Sequence, residues 1–139
     1  MKCNRRIPAS ILMMALFIAA CSKSNPTPAA ATGGCTVSFK GSSIKLATAI
    51  CVSVLGVEGL TAIEGGTSNV GLVIARDASY PSGSSVTFTD SSNDTYSASE
   101  GVTSIPTITV SGKSWTFSGS AMNGAGDTQS ISGTCTCTN

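Results

Sequence analysis

Residues 107–119 read TITVSGKSWTFSG and contain the pattern that decides the fold. Apolar and hydroxyl-bearing side chains alternate on both sides of a turn at Ser111–Lys113, and strict alternation is typical of a half-buried β-strand. The glycine in that turn supplies the backbone freedom that a tight hairpin loop needs. The stretch therefore predicts an antiparallel hairpin in which Trp115 and Phe117 share the buried face of one strand.

The same alternation recurs along the rest of the chain. It predicts strands in CTVSFKG (35–41), around Leu60–Ile63, in NVGLVIAR (69–76), in SSVTFTD (84–90), in TYSAS (95–99) and in QSISGTCTC (129–137). The inward-facing residues of the clearest of these strands are Cys35, Val37, Phe39, Val86 and Phe88. Turns are expected at SSND (91–94) and NGAGD (123–127).

The longest apolar alternation is SIKLATAICVSV (43–54). As one strand it places Ile44, Leu46, Ile50, Val52 and Val54 on a single face. A short amphipathic helix is the alternative, because Ala47, Cys51 and Leu55 recur at helical spacing. No convincing long helix follows the amino terminus, so we expect residues 35–139 to form an all-β domain, an antiparallel β-sandwich or a partly closed barrel.

The amino terminus has the anatomy of a signal peptide. Residues 1–20 combine a basic stretch with Lys2, Arg5 and Arg6, an apolar run, and small residues at the end. The apolar run is well short of the roughly 20 residues that a transmembrane helix needs. We therefore expect this segment to be cleaved and not to remain as a membrane span.

Residues 18–21, IAAC, resemble a bacterial lipobox. In lipoproteins with this motif the cysteine thiol takes a diacylglycerol, the preceding peptide bond is cleaved, and fatty acids such as palmitate complete the anchor. The resemblance implies that Cys21 is lipidated and that the membrane is a partner through this anchor, since two or three acyl chains hold a protein stably. The non-acidic Ser22 implies transfer to the outer membrane of the cell envelope; whether the domain faces the periplasm or the surface stays open.

Residues 21–34 comprise the lipidated cysteine and a flexible linker. The sequence SKSNPTPAAATGG has two prolines, small residues and no apolar period. Where it is extended, such a linker could hold the domain up to roughly 40 Å from the lipid.

Four cysteines remain for the exported domain, Cys35, Cys51, Cys135 and Cys137, and the oxidising compartment makes them disulfide candidates. Cys135 and Cys137 point the same way from an extended strand, so a bond between them would need a distorted backbone. Of the two other pairings we favour Cys35–Cys137 with Cys51–Cys135, which draws the first strand against the last. A zinc site of four thiolates is the alternative, but Cys-x-x-Cys knuckles are absent and we expect no metal.

The ionisable residues exclude most catalytic chemistry. Five basic residues face seven acidic ones after the leader, so the domain is mildly acidic and we expect no nucleic-acid partner. No histidine occurs, which removes the usual Ser-His-Asp and Cys-His arrangements. Ser42 and Lys45 match the Ser-x-x-Lys of penicillin-recognising enzymes, but the partner motifs of that family are missing. No spacing among the carboxylates selects a glycosidase pair, so we expect no enzymatic activity and no cofactor.

A second resemblance covers about half of the exported chain. The run YPSGSSVTFTD, TYSASEG, ITVSGKSWTFSGS and ISGTCTC is similar to the carboxyl-terminal half of small β-rich lipoproteins of the Bacteroidota, whose function is unknown. The resemblance implies a fold and an envelope location, and it implies no catalytic residues.

Two functions fit these observations. The first is a non-catalytic envelope lipoprotein, a tethered β-domain with a binding or structural role and a glycan or protein ligand. The alternative is a small disulfide-bonded inhibitor of a lysozyme or protease, which would present a stiff, disulfide-pinned loop. A glycan binder would instead expose an aromatic platform, so the exposure of Trp115 and Tyr80 separates the cases.

Overall fold

The structure, a computed structural model, describes residues 33–138. It contains ten strands: β1 (Gly34–Phe39), β2 (Ser42–Leu46), β3 (Thr48–Val54), β4 (Val57–Ile63), β5 (Gly71–Asp77), β6 (Ser85–Thr89), β7 (Thr95–Ser99), β8 (Thr107–Ser111), β9 (Ser114–Met122) and β10 (Thr128–Thr136). Within these residues there is no α-helix, and a 3₁₀ turn at Pro81–Gly83 precedes β6. The all-β prediction is confirmed. The predicted signal peptide, Cys21 and the linker as far as residue 32 lie outside the described residues.

All strands belong to one antiparallel sheet in the order β2-β1-β10-β9-β7-β6-β5-β4-β3, and β8 pairs with β9. The two ends of this order come together. The Ala49 amide donates to the Gly33 carbonyl at 3.2 Å, and the Thr138 amide donates to the Ala49 carbonyl at 3.1 Å. The sheet therefore curls into a partly closed barrel, one of the two predicted architectures.

The chain moves from one end of the sheet to the other at a bend in the segment 42–54. This segment was expected to be a single strand, but it bends at Ala47, so that β2 pairs with β1 and β3 pairs with β4. The bend also changes the buried parity, because Leu46 and then Ala49 face inward. The prediction that Ile44, Leu46, Ile50, Val52 and Val54 share one face is therefore wrong, because Leu46 is buried whereas Ile50, Val52 and Val54 point to solvent. The helical alternative is wrong as well.

The barrel interior is filled by the alternating residues of nearly every strand. The largest buried side chains include Phe39, Leu46, Leu60, Leu72, Ile74, Phe88, Tyr96, Trp115, Phe117 and Ile131. The Phe39 ring lies 4.9 Å from that of Phe88 and 4.8 Å from that of Tyr96, measured between centroids. These contacts join β1 to β6 and β7 across the interior, which makes the core one continuous cluster.

The hairpin predicted from residues 107–119 is present. Its strands β8 and β9 pair from Ser111 with Ser114 outward, around a two-residue turn at Gly112 and Lys113. Trp115 is 2 % exposed and Phe117 is also buried, as predicted. The predicted turns at 91–94 and 123–127 are confirmed too.

Both disulfides join strands that are distant in sequence. Cys35 stands opposite Cys135 in the β1–β10 register, with their Cα atoms 4.0 Å apart, and Cys51 is bonded to Cys137 just beyond β10. Cys135 and Cys137 have different partners, as expected, but the favoured pairing is wrong. The register aligns Cys35 with Cys135, and the bend at Ala47 brings Cys51 to the end of β10, two facts that cysteine spacing does not contain.

Candidate functional site

An apolar patch covers the outside of the barrel at β3, β4 and β5. We call it the apolar wall and define it by its exposed members Ile50, Val52, Val54, Val57, Ile63 and Val73. The strand registers arrange its residues in rows that cross β3, β4 and β5. One row is Ile50, Thr61 and Val73, and another is Val54, Val57 and Asp77. Between these rows, Val52 flanks Gly59, whose missing side chain leaves the wall low at its centre.

The apolar wall carries little charge. In the rows set by the β3–β4 and β4–β5 registers, Asp77 at the border is the one ionisable residue that faces outward. The neighbouring Arg76 and Glu58 alternate to the other side of the sheet, where they form an ion pair with each other. Soluble monomers rarely expose a contiguous, uncharged patch of Ile and Val side chains to water. Such a patch is typical of a surface that contacts another molecule.

The opposite side of the barrel has the reverse composition. We call the outward face of β1, β8, β9 and β10 the hydroxyl wall. Its side chains are Thr36, Ser38, Thr107, Thr109, Ser111, Ser114, Thr116, Ser118, Ser132, Thr134 and Thr136. In one row Thr36, Thr134, Thr116 and Thr109 stand next to each other across four strands. This face is neutral and well solvated, and Lys45 borders it on β2.

A cleft of about 190 Å³ separates β3 from the β8–β9 hairpin, where the barrel is not closed. Val52, Val110, Lys113 and Trp115 line it, and the Cys51–Cys137 disulfide lies at its side. Pockets for small-molecule ligands are usually larger than about 300 Å³. A trough of about 480 Å³ beside Lys45 is larger, but it is an open depression on the hydroxyl wall. Neither has the form of an enclosed ligand pocket.

An ion pair lies at the far end of the barrel, away from Gly33. The Lys40 ammonium lies 3.3 Å from Asp90 Oδ2 and 4.7 Å from the centroid of the Tyr96 ring. Burial raises the pKa of Asp90, but hydrogen bonds from the amides of Ser92 and Asp94, together with Lys40, lower that pKa below its ordinary value. The Tyr96 side chain raises the pKa of Lys40 against the effect of desolvation, and Asp90 raises it further. Both groups are therefore held in their charged forms.

The residues weighed for catalysis are not brought together. Ser42 and Lys45 are three positions apart on β2, so their side chains alternate to opposite sides of the strand. Among the carboxylates, Glu58 pairs with Arg76 and Asp90 pairs with Lys40. Asp90 also accepts hydrogen bonds from the Ser92 and Asp94 amides, so the predicted turn at residues 91–94 is organised around one carboxylate. Within residues 33–138 no three Cys, Asp or Glu side chains are placed to hold a metal ion.

The two aromatic residues that could form a glycan-binding platform differ in their exposure to solvent. Trp115 is buried, whereas Tyr80 is 68 % exposed on the loop between β5 and β6. Tyr80 is the one exposed aromatic side chain in the described part of the chain. It stands alone and not in a row with a second ring.

The apolar wall was not predicted from the sequence. The alternation of Ile50, Val52 and Val54 predicted one face of a strand, but it did not show that this face is exposed. One signal was present: Gly56 interrupts the apolar alternation shortly after Val54, which indicates a turn there. The side of that strand that faces solvent depends on the bend at Ala47, which has no sequence signature of its own.

A scan against models of known protein families and a search of curated protein sequences each found no match. No helix among residues 33–138 is long and apolar enough to cross a membrane.

Proposed function

We propose that the chain is a non-catalytic lipoprotein of the cell envelope, anchored through Cys21 in the outer membrane, and that its barrel is a binding module. The observation that carries this proposal is the apolar wall. Six exposed Ile and Val side chains form this uncharged face, and an exposed patch of this kind typically marks a surface that contacts another molecule.

The partner that fits this face is another envelope protein with an apolar, uncharged surface. The wall consists of β-branched side chains on a sheet, and such faces pack against a second sheet or a flat protein surface. The described residues contain four basic side chains, Lys40, Lys45, Arg76 and Lys113, against seven acidic ones. None of the basic ones lies in the wall's outward rows, so an acidic ligand finds no matching charge there.

The expected affinity favours a partner in the same envelope. Each half-exposed Ile or Val contributes on the order of 1 kcal/mol when its remaining surface is buried, so the wall provides roughly 6 kcal/mol. Association of free proteins costs about 4 to 15 kcal/mol in lost freedom, so this surface alone binds weakly. Confinement to one membrane raises the effective concentration of the two proteins and offsets that cost.

The other two ligand types have less support. The disulfides are compatible with an inhibitor, but both join strands of the barrel and neither pins a protruding loop. The exposed Tyr80 is compatible with a glycan ligand, but one ring is a small platform. We therefore place protein binding ahead of both.

Two experiments test the proposal. Cys21→Ser should abolish labelling with a palmitate analogue and release the chain from membranes after a high-salt wash; a variant that still fractionates with membranes would contradict the anchor. For the binding surface, a photoreactive amino acid at Val73 should give a discrete crosslinked product in cells, and the same group at Thr116 on the hydroxyl wall should not.

A matched pair of second substitutions makes the crosslinking test specific. Val52→Lys should remove the product obtained from Val73, whereas Thr109→Lys should leave it unchanged. Equal products from Val73 and Thr116 would contradict the assignment of the surface. A product with twice the mass of the chain would keep the surface but replace the partner by a second copy.

A further inference from the structure

The tip of the β3–β4 hairpin is both strained and apolar. Leu55 and Gly56 form its two-residue turn with φ of +52° and +85°. Turns of this kind strongly favour Asn, Asp or Gly at the first position, because the Cβ of other residues comes too close to the backbone. Leu55 is also 101 % exposed, which means that its side chain contacts nothing in the described part of the chain.

The β1–β2 hairpin shows how the barrel compensates the same strain elsewhere. Its turn is Lys40-Gly41, and Lys40 also has a positive φ of 49°. The Lys40 side chain has partners, however, since its ammonium contacts Asp90 and lies over the ring of Tyr96. No such contact offsets the strain at Leu55, and residues kept in costly conformations are often functional.

The neighbours of Leu55 extend the apolar tip. Val54 and Val57 are paired across the turn, and both are exposed. The tip therefore presents three aliphatic side chains on two adjacent strands. It has no basic side chain of its own, and with four basic against seven acidic residues the described domain is acidic.

The tip lies at the end of the barrel from which the chain leads back to Cys21. The registers from β1 through β10, β9, β7, β6 and β5 place Gly34 at the same end as Val57. The Gly33 carbonyl accepts a hydrogen bond from the Ala49 amide. From Ala49, β3 runs away from Gly33 and reaches Leu55 about 20 Å farther along the strand. The twelve peptide steps from Gly33 back to Cys21 span at most about 40 Å. A bilayer that holds Cys21 is thus within reach of the tip.

We infer that the Val54–Val57 tip docks into the phospholipid surface to which Cys21 is anchored, and so fixes the orientation of the barrel on the membrane; Ile50, Val52, Ile63 and Val73 of the apolar wall remain for the protein partner. This inference rests on the proposed anchor. The aliphatic side chains of the tip would lie at the boundary between headgroups and acyl chains, about 5–10 Å into the lipid. The acidic domain favours a neutral lipid surface, and the anchor supplies the local concentration that three side chains alone do not.

Depth-dependent quenching tests the contact directly. The acylated chain carrying Leu55→Trp is reconstituted in phosphatidylcholine vesicles that contain lipids brominated at known depths. The introduced indole should shift to the blue, and bromines near the headgroup end should quench it roughly threefold more than in Thr116→Trp, the matched control on the hydroxyl wall. The wild type supplies the baseline, because Trp115 is buried.

A second variant separates docking from mere proximity. In the Val57→Trp chain, the indole fluorescence should be quenched by brominated lipids, and adding Leu55→Asn should remove most of that quenching. Asparagine tolerates the positive φ of the turn, but its polar side chain does not insert into the bilayer. Unchanged quenching in that pair, or equal quenching of the Leu55→Trp and Thr116→Trp chains, would overturn the inference. A blue shift that appears without vesicles and grows with protein concentration would instead identify a second copy as the occupant and would also overturn it.

Failure of the anchor is distinguishable from failure of the docking. Mass spectrometry of the amino-terminal peptide shows whether Cys21 carries lipid. An unlipidated Cys21 removes both the anchor and this inference, whereas a lipidated chain without quenching removes the docking alone.

Discussion

The apolar wall and the hydroxyl wall lie on two sides of one barrel and rest on equally buried residues. Behind the apolar wall are Leu60, Leu72 and Ile74, and behind the hydroxyl wall are Trp115 and Phe117. The strands share the same alternation, so the inward rows on both sides are apolar apart from the half-buried Glu58–Arg76 ion pair of β4 and β5. The outward rows differ completely, because packing of the core places no demand on them. The outer composition of this barrel therefore reflects contact with its surroundings and not the requirements of folding.

The largest effect should come from the core that both walls share. Trp115→Ala should lower the free energy of unfolding by roughly 3 to 5 kcal/mol, through lost burial and a residual cavity. Thr116→Ala, the adjacent position on the hydroxyl wall, should change it by less than about 0.5 kcal/mol. Urea unfolding followed by far-ultraviolet circular dichroism measures both. Similar losses for the two variants would mean that the inward and outward rows are not distinct.

The next effect concerns the bond that links the two sides of the barrel. Cys51 is on β3 of the apolar wall, and Cys137 follows β10 of the hydroxyl wall. The double variant Cys51→Ser with Cys137→Ser should lose on the order of 2 to 5 kcal/mol of stability. It should also become sensitive to proteases in β3, because the disulfide lies beside the cleft where the barrel is open. Peptide mapping without reduction should recover Cys35–Cys135 and Cys51–Cys137, and any other pairing would contradict the register.

A smaller, pH-dependent effect belongs to the end of the barrel remote from Gly33. The folded-state pKa of Asp90 lies below its unfolded value, so its contribution to stability is present above about pH 4 and is lost as the pH falls through the folded pKa. The pKa of Lys40 is raised, so its contribution persists until the pH rises above about 10. Asp90→Asn should flatten the decline in stability between pH 5 and pH 2, as measured by thermal unfolding. Wild-type and variant curves that stay parallel would refute this role.

The smallest effect has the opposite sign. Leu55→Asn should raise the free energy of unfolding by about 1 kcal/mol, because asparagine tolerates the positive φ at this position better than leucine does. Val73→Thr, on the same wall but in ordinary strand conformation, serves as the control and should stay within about 0.5 kcal/mol. A loss of stability in Leu55→Asn would mean that leucine is kept for the fold and not for contact.

Much of the barrel could be predicted from local patterns. Strand positions, the hairpin of residues 107–119 and the burial of Val37, Phe88, Trp115 and Phe117 follow from alternation, since a pleated strand has two faces and one of them must leave water. The disulfide candidates followed from the cysteine count and the expected oxidising compartment. The candidate surface could not be found this way, because an apolar run has the same pattern whether its face is covered by the core or exposed.

By itself, the sequence determined which residues alternate and where the chain turns, because these depend on neighbours within a few positions. Tertiary structure alone decided which side of β3 is inside, since the bend at Ala47 moves the chain from one end of the sheet to the other and exposes Ile50, Val52 and Val54. It also decided the partner of each cysteine. Cys35 and Cys135 are 100 residues apart in sequence, and only the pairing of β1 with β10 makes them neighbours. Local alternation carries no information about such distant registers, which arise when the whole sheet closes around its core.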